Sequence, residues 1–214
     1  MEQYLDANGG SHIWYTAAPL ASEVWLQTSL TMLHDVIRHI ETSSYAGHVF
    51  GYLPASGDAG EWYWPGSFTG GMPGYSSTTE ISFRHWLSEH YENDAALQQA
   101  WDNPTVTLQT AKVPSPELRL AAEYGVFRVQ KKSQQVYDFR HFLNDTTFRD
   151  ISETCRAIKE ASNFHKIVCI YYGYPLLYAG KGSTMQKGGL QMLEQVFEST
   201  FIDWIATPLD YVQR

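Results

Sequence analysis

The 214-residue chain carries a formal net charge of −8, with 43% hydrophobic, 14% aromatic and only 18% charged residues. That balance describes a folded globular chain, long enough for one sizeable core or for part of a larger one. It argues against nucleic acid and anionic membrane surfaces as main partners: neither attracts an acidic chain without a basic patch, and Lys131-Lys132 is an isolated pair on a helix face.

In chain order, residues 12–17 read as a short strand closed by Pro19. Ser22 then caps a helix, with Glu23 in its first turn and Val24, Leu26, Leu30, Leu33, Val36, Ile37 and Ile40 at helical spacing, up to Ser43-Ser44. A second strand is expected over 48–53 and stops at Pro54. Residues 65–79, rich in Gly, Ser, Thr and Pro, read as a long excursion of the kind usually kept for function. Helices are expected over 80–91 and 95–101, then an extended connection over 102–116. A helical stretch runs over 117–142 with a pause near Gly125-Val126, and Asp145 or Thr146 is expected to cap a separate helix over 148–161. The β-branched run Lys166 to Tyr172 suits a parallel strand buried on both faces. A glycine-rich loop spans 173–182, a helix 188–199 and a last strand 202–206. This alternation predicts an α/β fold with four parallel strands and outer helices.

Several possible constellations are weak. Gly180-Lys181-Gly182-Ser183 lacks the glycine spacing and the Lys-Ser/Thr pair of a phosphate loop. His34 and His39, like His85 and His90, stand five apart and share no helix face. Cys155 and Cys169 fit no zinc motif and read as free buried thiols. No cofactor or metal is called for. Residues 1–10 are polar and acidic with no apolar signal region, and no run approaches about 18 apolar residues. With free thiols, this points to the cytoplasm.

The most informative residues lie in the loops that leave the strands. After the run Val49 to Leu53, a small-residue loop delivers Glu61 into Trp62-Tyr63-Trp64. One carboxylate on a glycine-flexed loop among aromatic rings is a way of presenting an acid to a sugar, because flat rings stack on pyranose faces and apolar surroundings raise a carboxyl pKa. The plain alternative is a solvated loop acid beside ordinary core aromatics. The other strand ends bring Trp25, Tyr172, Tyr174 and Tyr211, each equally readable as packing.

Three segments resemble the catalytic barrel of glycoside hydrolase family 42, the family of many bacterial β-galactosidases. Phe83-Arg-His-Trp-Leu-Ser-Glu-His-Tyr91 with Leu97-Gln-Gln-Ala-Trp101 resembles the helix after its fourth strand. Tyr137-Asp-Phe-Arg-His-Phe-Leu143 resembles an "Asp-Phe-x-x-Phe" helix, and Ile202-Asp-Trp-Ile-Ala-Thr-Pro-Leu-Asp-Tyr211 its sixth strand. The resemblance implies a partial (β/α)8 TIM barrel, about strands 3 to 6, over residues 1–214. It implies a retaining glycosidase acting on β-linked sugars, with Glu61 as acid/base and Trp25, Trp62, Tyr172, Tyr174 and Tyr211 lining the sugar cleft. The family's nucleophile comes after the seventh strand and so falls outside the chain. The stop at Tyr211-Val-Gln-Arg214 reads as truncation, giving a fragment expected to be inactive alone and a homo-oligomer when full-length. The family's Asn-Glu pair is Gly60-Glu61 here, marking a divergent relative. A non-catalytic carbohydrate-binding or structural barrel is the competing reading.

Overall fold

The computed structural model describes residues 5–7, 9–10, 18–57, 60–67, 72–121, 128–172 and 188–207. Three short strands, β1 (Gly51–Tyr52), β2 (Ile167–Tyr171) and β3 (Trp204–Ala206), form one parallel sheet in the order β1-β2-β3. The register sets Gly51 beside Ile167 and Cys169 beside Trp204. Parallel neighbours need crossovers. That between β1 and β2 carries α2 (Ser77–His90), α3 (Asp94–Trp101), α4 (Pro116–Leu120) and α5 (Gln130–Ala161). That between β2 and β3 carries α6 (Leu193–Glu198). Helix α1 (Glu23–Glu41) precedes them, its first turn capped by Ser22 Oγ accepting from Trp25 N–H.

Helix α5 organises the rest. Its 32 residues span about 48 Å at the usual rise, whereas the five residues of β2 span about 16 Å. The C-terminal half lies on the sheet: Ile151, Cys155 and Ile158 pack with Val168, Ile170 and Tyr172. The N-terminal half overruns the strands and needs other cover. Phe139, Phe142 and Leu143 pack instead with Phe83 and Leu87 of α2 and Leu97 of α3. Asp138 ties this second core together. Its Oδ2 accepts from Tyr91 Oη and Trp101 Nε1, both at 2.7 Å, and its Oδ1 from Gln134 Nε2 at 2.8 Å. At the other end, Asp203 Oδ2 accepts from buried Lys159 Nζ (2.5 Å) and Val168 N–H (2.7 Å), pinning the entry to β3.

The structure departs from the sequence expectations in five places, one being that the helix expected over 188–199 forms only over Leu193–Glu198. Residues 117–142 and 148–161 do not form two helices: α5 runs unbroken through Asp145 and Thr146, neither of which caps anything. Strand β2 is not buried on both faces; Val168 and Ile170 are buried, while Ile167, Cys169 and Tyr171 face the other way and are more open. Leu53 and Trp204 share that open face by register and are 44% and 62% exposed. Helix α1 buries only Leu26 and Ile37 of its apolar set; Val24 and Val36 lie exposed. The β1 region is a 3-10 turn (Ala46–His48) leading into two paired residues. The strand expected over 12–17 lies outside the described residues.

Candidate active site

The loop after β1 reverses on two glycines, Gly57 (φ +69°) and Gly60 (φ +77°), both in the left-handed region that glycine enters without penalty. A Cβ on Gly57 would stand 2.2 Å from the Tyr63 carbonyl oxygen, so the chain passes itself too closely there for any other residue. The loop is closed by Trp62 N–H donating to Ser56 O at 2.7 Å. Trp62 itself is left-handed, φ +64°, which costs a non-glycine residue about 1–2 kcal/mol.

The next residues anchor this strained turn in both cores. Trp62 and Tyr63 enter the sheet core with Tyr172 and Leu190. Trp64 enters the helical core, its Nε1–H donating to Thr147 Oγ1 (3.0 Å) and Leu143 O (3.3 Å). Glu61 stands at the turn just before them. It is partly exposed, and among the described residues its carboxylate takes part in no hydrogen bond or ion pair. The backbone, not a side-chain partner, sets its position.

The aromatic residues expected around a sugar fall differently. Trp62 is 1% exposed and Tyr172 fully buried, so neither offers an open ring face; both are core residues beneath the loop. The Tyr172 hydroxyl accepts from Met192 N–H at 2.8 Å, which ties residues 190–192 to the end of β2. Burial raises its pKa, against the opposing Met192 N–H. The indole N–H of Trp62 is buried with no acceptor among the described residues. Trp25, in the first turn of α1, is half-buried against the helical core. Tyr174 and Tyr211 lie outside the described residues. The structure thus brings Trp62 and Tyr172 together in one core, with Glu61 next to Trp62 in the chain.

Sequence reasoning misses Asp150, on the buried face of α5. Its Oδ1 accepts from Arg149 Nε (3.1 Å) and Nη2 (2.9 Å), and Arg149 also reaches Glu23 of α1 at 3.4 Å. Its Oδ2 is buried without a hydrogen-bond partner among the described residues. Burial lifts this carboxyl to about 7, against the opposing pull of Arg149. One signal could have found it: Asp150 falls in the helical repeat of Leu143, Thr147 and Ile151, where an apolar residue is expected.

The sequence profile of glycoside hydrolase family 42, described as β-galactosidase, matches residues 69–184, more than half of the chain. The chain belongs to glycoside hydrolase family 42. The match covers α2 to α5 and β2 and begins beyond Glu61. No curated protein sequence matches the chain. Among solved structures, the catalytic domain of a β-amylase from Paenibacillus polymyxa superposes with a TM-score of 0.73 at 17% identity, covering 95% of this chain and 51% of that one. A β-galactosidase from Bacillus circulans sp. alkalophilus gives 0.62 at 16%, over 96% of this chain and 27% of that one. A β-galactosidase from the psychrophilic Marinomonas ef1 gives 0.57 at 15%, over 79% and 24%. These identities establish a shared fold. The family 42 chain spans about half the length of the first of these proteins and about a quarter of the other two.

Proposed function

We propose that this family 42 chain is part of a retaining glycoside hydrolase acting on β-linked sugars, with Glu61 as its general acid/base. In this reading the parallel strands are part of a (β/α)8 barrel that residues 1–214 contribute to. The observation that carries the proposal is a partly exposed carboxylate, unpartnered among the described residues, on the loop leaving the C-terminal end of a parallel strand, where such barrels keep their chemistry. Support from the family match is indirect, because the matched segment begins after the loop.

The reaction needs two carboxyl groups about 5–5.5 Å apart. Glu61 would protonate the glycosidic oxygen as the bond to the anomeric carbon breaks. A second carboxylate, from outside the chain, would attack that carbon. Glu61, now ionised, would take a proton from the water that releases the sugar. Gly60 stands where the family has the asparagine of its Asn-Glu pair; its φ of +77° is left-handed, and a Cβ there would lie 3.1 Å from that of Ala55. The contact that the asparagine makes to the sugar in the family therefore does not carry over to this chain, and neither does the family's sugar specificity. The competing reading, a non-catalytic sugar-binding barrel, would use open aromatic faces; Trp62, Tyr63, Trp64 and Tyr172 offer none, whereas Trp204, 62% exposed on the open face of the sheet, does. The remaining parts of the reading are a carbohydrate as partner, a cytoplasmic location consistent with the free thiols of Cys155 and Cys169, and a homo-oligomer of the full-length protein. Among the described residues no helix is long and apolar enough to cross a membrane.

The test is Glu61→Ala in the complete enzyme. Turnover should fall by several orders of magnitude, least for aryl glycosides with good leaving groups, and azide should partly restore it by attacking the glycosyl-enzyme without a general base. Glu89→Ala, on the exposed side of α2, is the control. Equal rates for the two variants would remove Glu61 from the mechanism. The 214-residue chain alone should not hydrolyse aryl glycosides.

A further inference from the structure

In the connection from β2 to β3, residues 188–192 come back against the aromatic residues that follow Glu61. The approach is close enough to leave no room for side chains at its start. A Cβ on Gly188 would stand 3.0 Å from the Tyr63 ring. One on Gly189 would stand 2.9 Å from Trp64 Cδ1 and 2.5 Å from Thr147 Oγ1, the acceptor of the Trp64 indole N–H. Leu190, 3% exposed, then enters the sheet core with Trp62, Tyr63 and Tyr172. Trp62, Tyr63 and Trp64 thus all pack with this one stretch.

The stretch is held in turn by hydrogen bonds to two elements. Tyr172, at the end of β2, accepts from Met192 N–H at 2.8 Å through its hydroxyl. Asn144 of α5 accepts from Gln191 N–H at 2.8 Å through Oδ1, while its Nδ2 donates to Arg140 O at 2.8 Å and so fixes which way the amide points. Arg140 Nε donates to Gln191 Oε1 at 2.6 Å. Tyr172 and Asn144 are buried, where a hydrogen-bonding group left unpaired is costly, so these bonds set where the stretch lies. Strands β1 and β2 are parallel neighbours, which puts the Glu61 turn and Tyr172 beyond the same end of the sheet. The turn itself carries three left-handed residues, Gly57, Gly60 and Trp62, and depends on what packs behind it.

We propose that residues 188–192, with Tyr172 as their strut, are the positioning element for Glu61. Tyr172 then serves the reaction without touching sugar: its hydroxyl holds the stretch, the stretch holds Tyr63 and Trp64, and these hold the turn that presents the carboxyl group. The catalytic part of this inference rests on the acid/base reading of Glu61. An acid that protonates a leaving oxygen works only when well placed, and a displacement of about 1 Å from a change elsewhere can cost about 100-fold in rate.

The test uses two variants, so that it stays decisive if one fails to fold. Gly188→Ala pushes on the Tyr63 ring, and Tyr172→Phe deletes only the hydroxyl that holds Met192. Leu97→Ala, in the helical core, is the control for a general loss of stability. The first readout is hydrogen–deuterium exchange of the 214-residue chain. Amides over residues 56–64 should exchange about tenfold faster in Gly188→Ala and Tyr172→Phe and at the parent rate in Leu97→Ala. The second is kcat/KM of the complete enzyme across aryl glycosides of graded leaving-group ability. A displaced acid should cost about tenfold or more for poor leaving groups and little for good ones, whereas a merely destabilised protein loses the same factor for every substrate. The proposal is overturned if exchange over 56–64 stays at the parent rate in both variants. It is also overturned if both lower kcat/KM by one common factor while Glu61→Ala keeps its dependence on the leaving group. A Glu61→Ala that behaves like Glu89→Ala overturns the acid/base reading instead, and the exchange rates, which involve no reaction, still decide whether the stretch holds the turn.

Discussion

Asp150 makes the stability of this fold depend on pH in an uncommon direction. Its carboxyl is held at about 7 in the folded chain, against an ordinary value of 3.8. A raised value means the native state binds the proton more tightly than the unfolded chain does. Between the two values the folded chain carries more protons, so stability falls as pH rises through that window; its contribution is fully present below about 4 and lost above about 7. The gap corresponds to about 4 kcal/mol, an upper figure given the Arg149 contact. Asp150→Asn isolates it. Asparagine keeps an oxygen for Arg149 and places an uncharged amide where Oδ2 has no partner among the described residues, so it imitates the protonated acid. Urea unfolding followed by tryptophan fluorescence should show the variant's advantage over the parent growing by about 3 kcal/mol between pH 4.5 and pH 8. At Glu80 and Asp203 burial is outweighed by Lys112, Arg84 and Lys159, so their values are lowered and they lose stabilisation as pH falls, but they do so equally in both proteins. A difference between the two proteins that stays constant from pH 4.5 to pH 8 would refute the reasoning.

Two further changes probe the framework around the loop. Gly57→Ala should cost at least the left-handed strain of about 1–2 kcal/mol, with a clash against the Tyr63 carbonyl added, and should lower the thermal midpoint; Gly60→Asn, which restores the family's pair at a φ asparagine tolerates, should be much milder, and equal losses would show that the turn is not held as described. Asp138→Ala should cost about 3–5 kcal/mol in urea unfolding, because Tyr91, Trp101 and Gln134 all lose one acceptor, whereas Asp138→Asn keeps most of it; a loss under about 1 kcal/mol for alanine would mean the helical core does not depend on this carboxylate.

Much of the fold was legible where local signals are self-sufficient. Ser22 with Glu23 gives the start of α1, and the β-branched run gives β2 within a residue. Errors arose where distant contacts decide. Asp145 or Thr146 looks like the cap of a new helix, and polar neighbours such as Asn144 and Thr147 compete for the backbone in the same way. In the fold Asn144 accepts from Gln191 N–H, Asp145 from the Trp86 indole, and Thr147 from the Trp64 indole, so α5 runs through them. Trp62 to Trp64 look like an open sugar platform for a similar reason: whether they are covered depends on the overrun of α5 and on residues 188–192, which lie far away in sequence. Glu61 itself could be singled out from sequence because its neighbours are glycines and aromatics, but the strain at Trp62 could not.

That strain bears on which acid does the chemistry. The structural acids of this chain are occupied: Glu80 holds Arg84 and Lys112, Asp138 takes three donors, and Asp203 holds Lys159 and the β2 backbone. Each stabilises the fold and has no freedom left to move a proton. Asp150 is enclosed, with a single charged partner. Glu61 stabilises nothing that can be identified among the described residues, and the residue after it sits in a conformation costing about 1–2 kcal/mol. Burying the Trp62 ring recovers that cost, at about 1.5–3 kcal/mol for a large apolar side chain. The fold thus spends part of its core on holding a turn that leaves one carboxylate unpaired at the surface. Where local structure works against stability and a buried ring compensates, function is the usual reason. On the proposed reading, this is the argument for giving the acid/base role to Glu61 and not to a better-buried carboxylate.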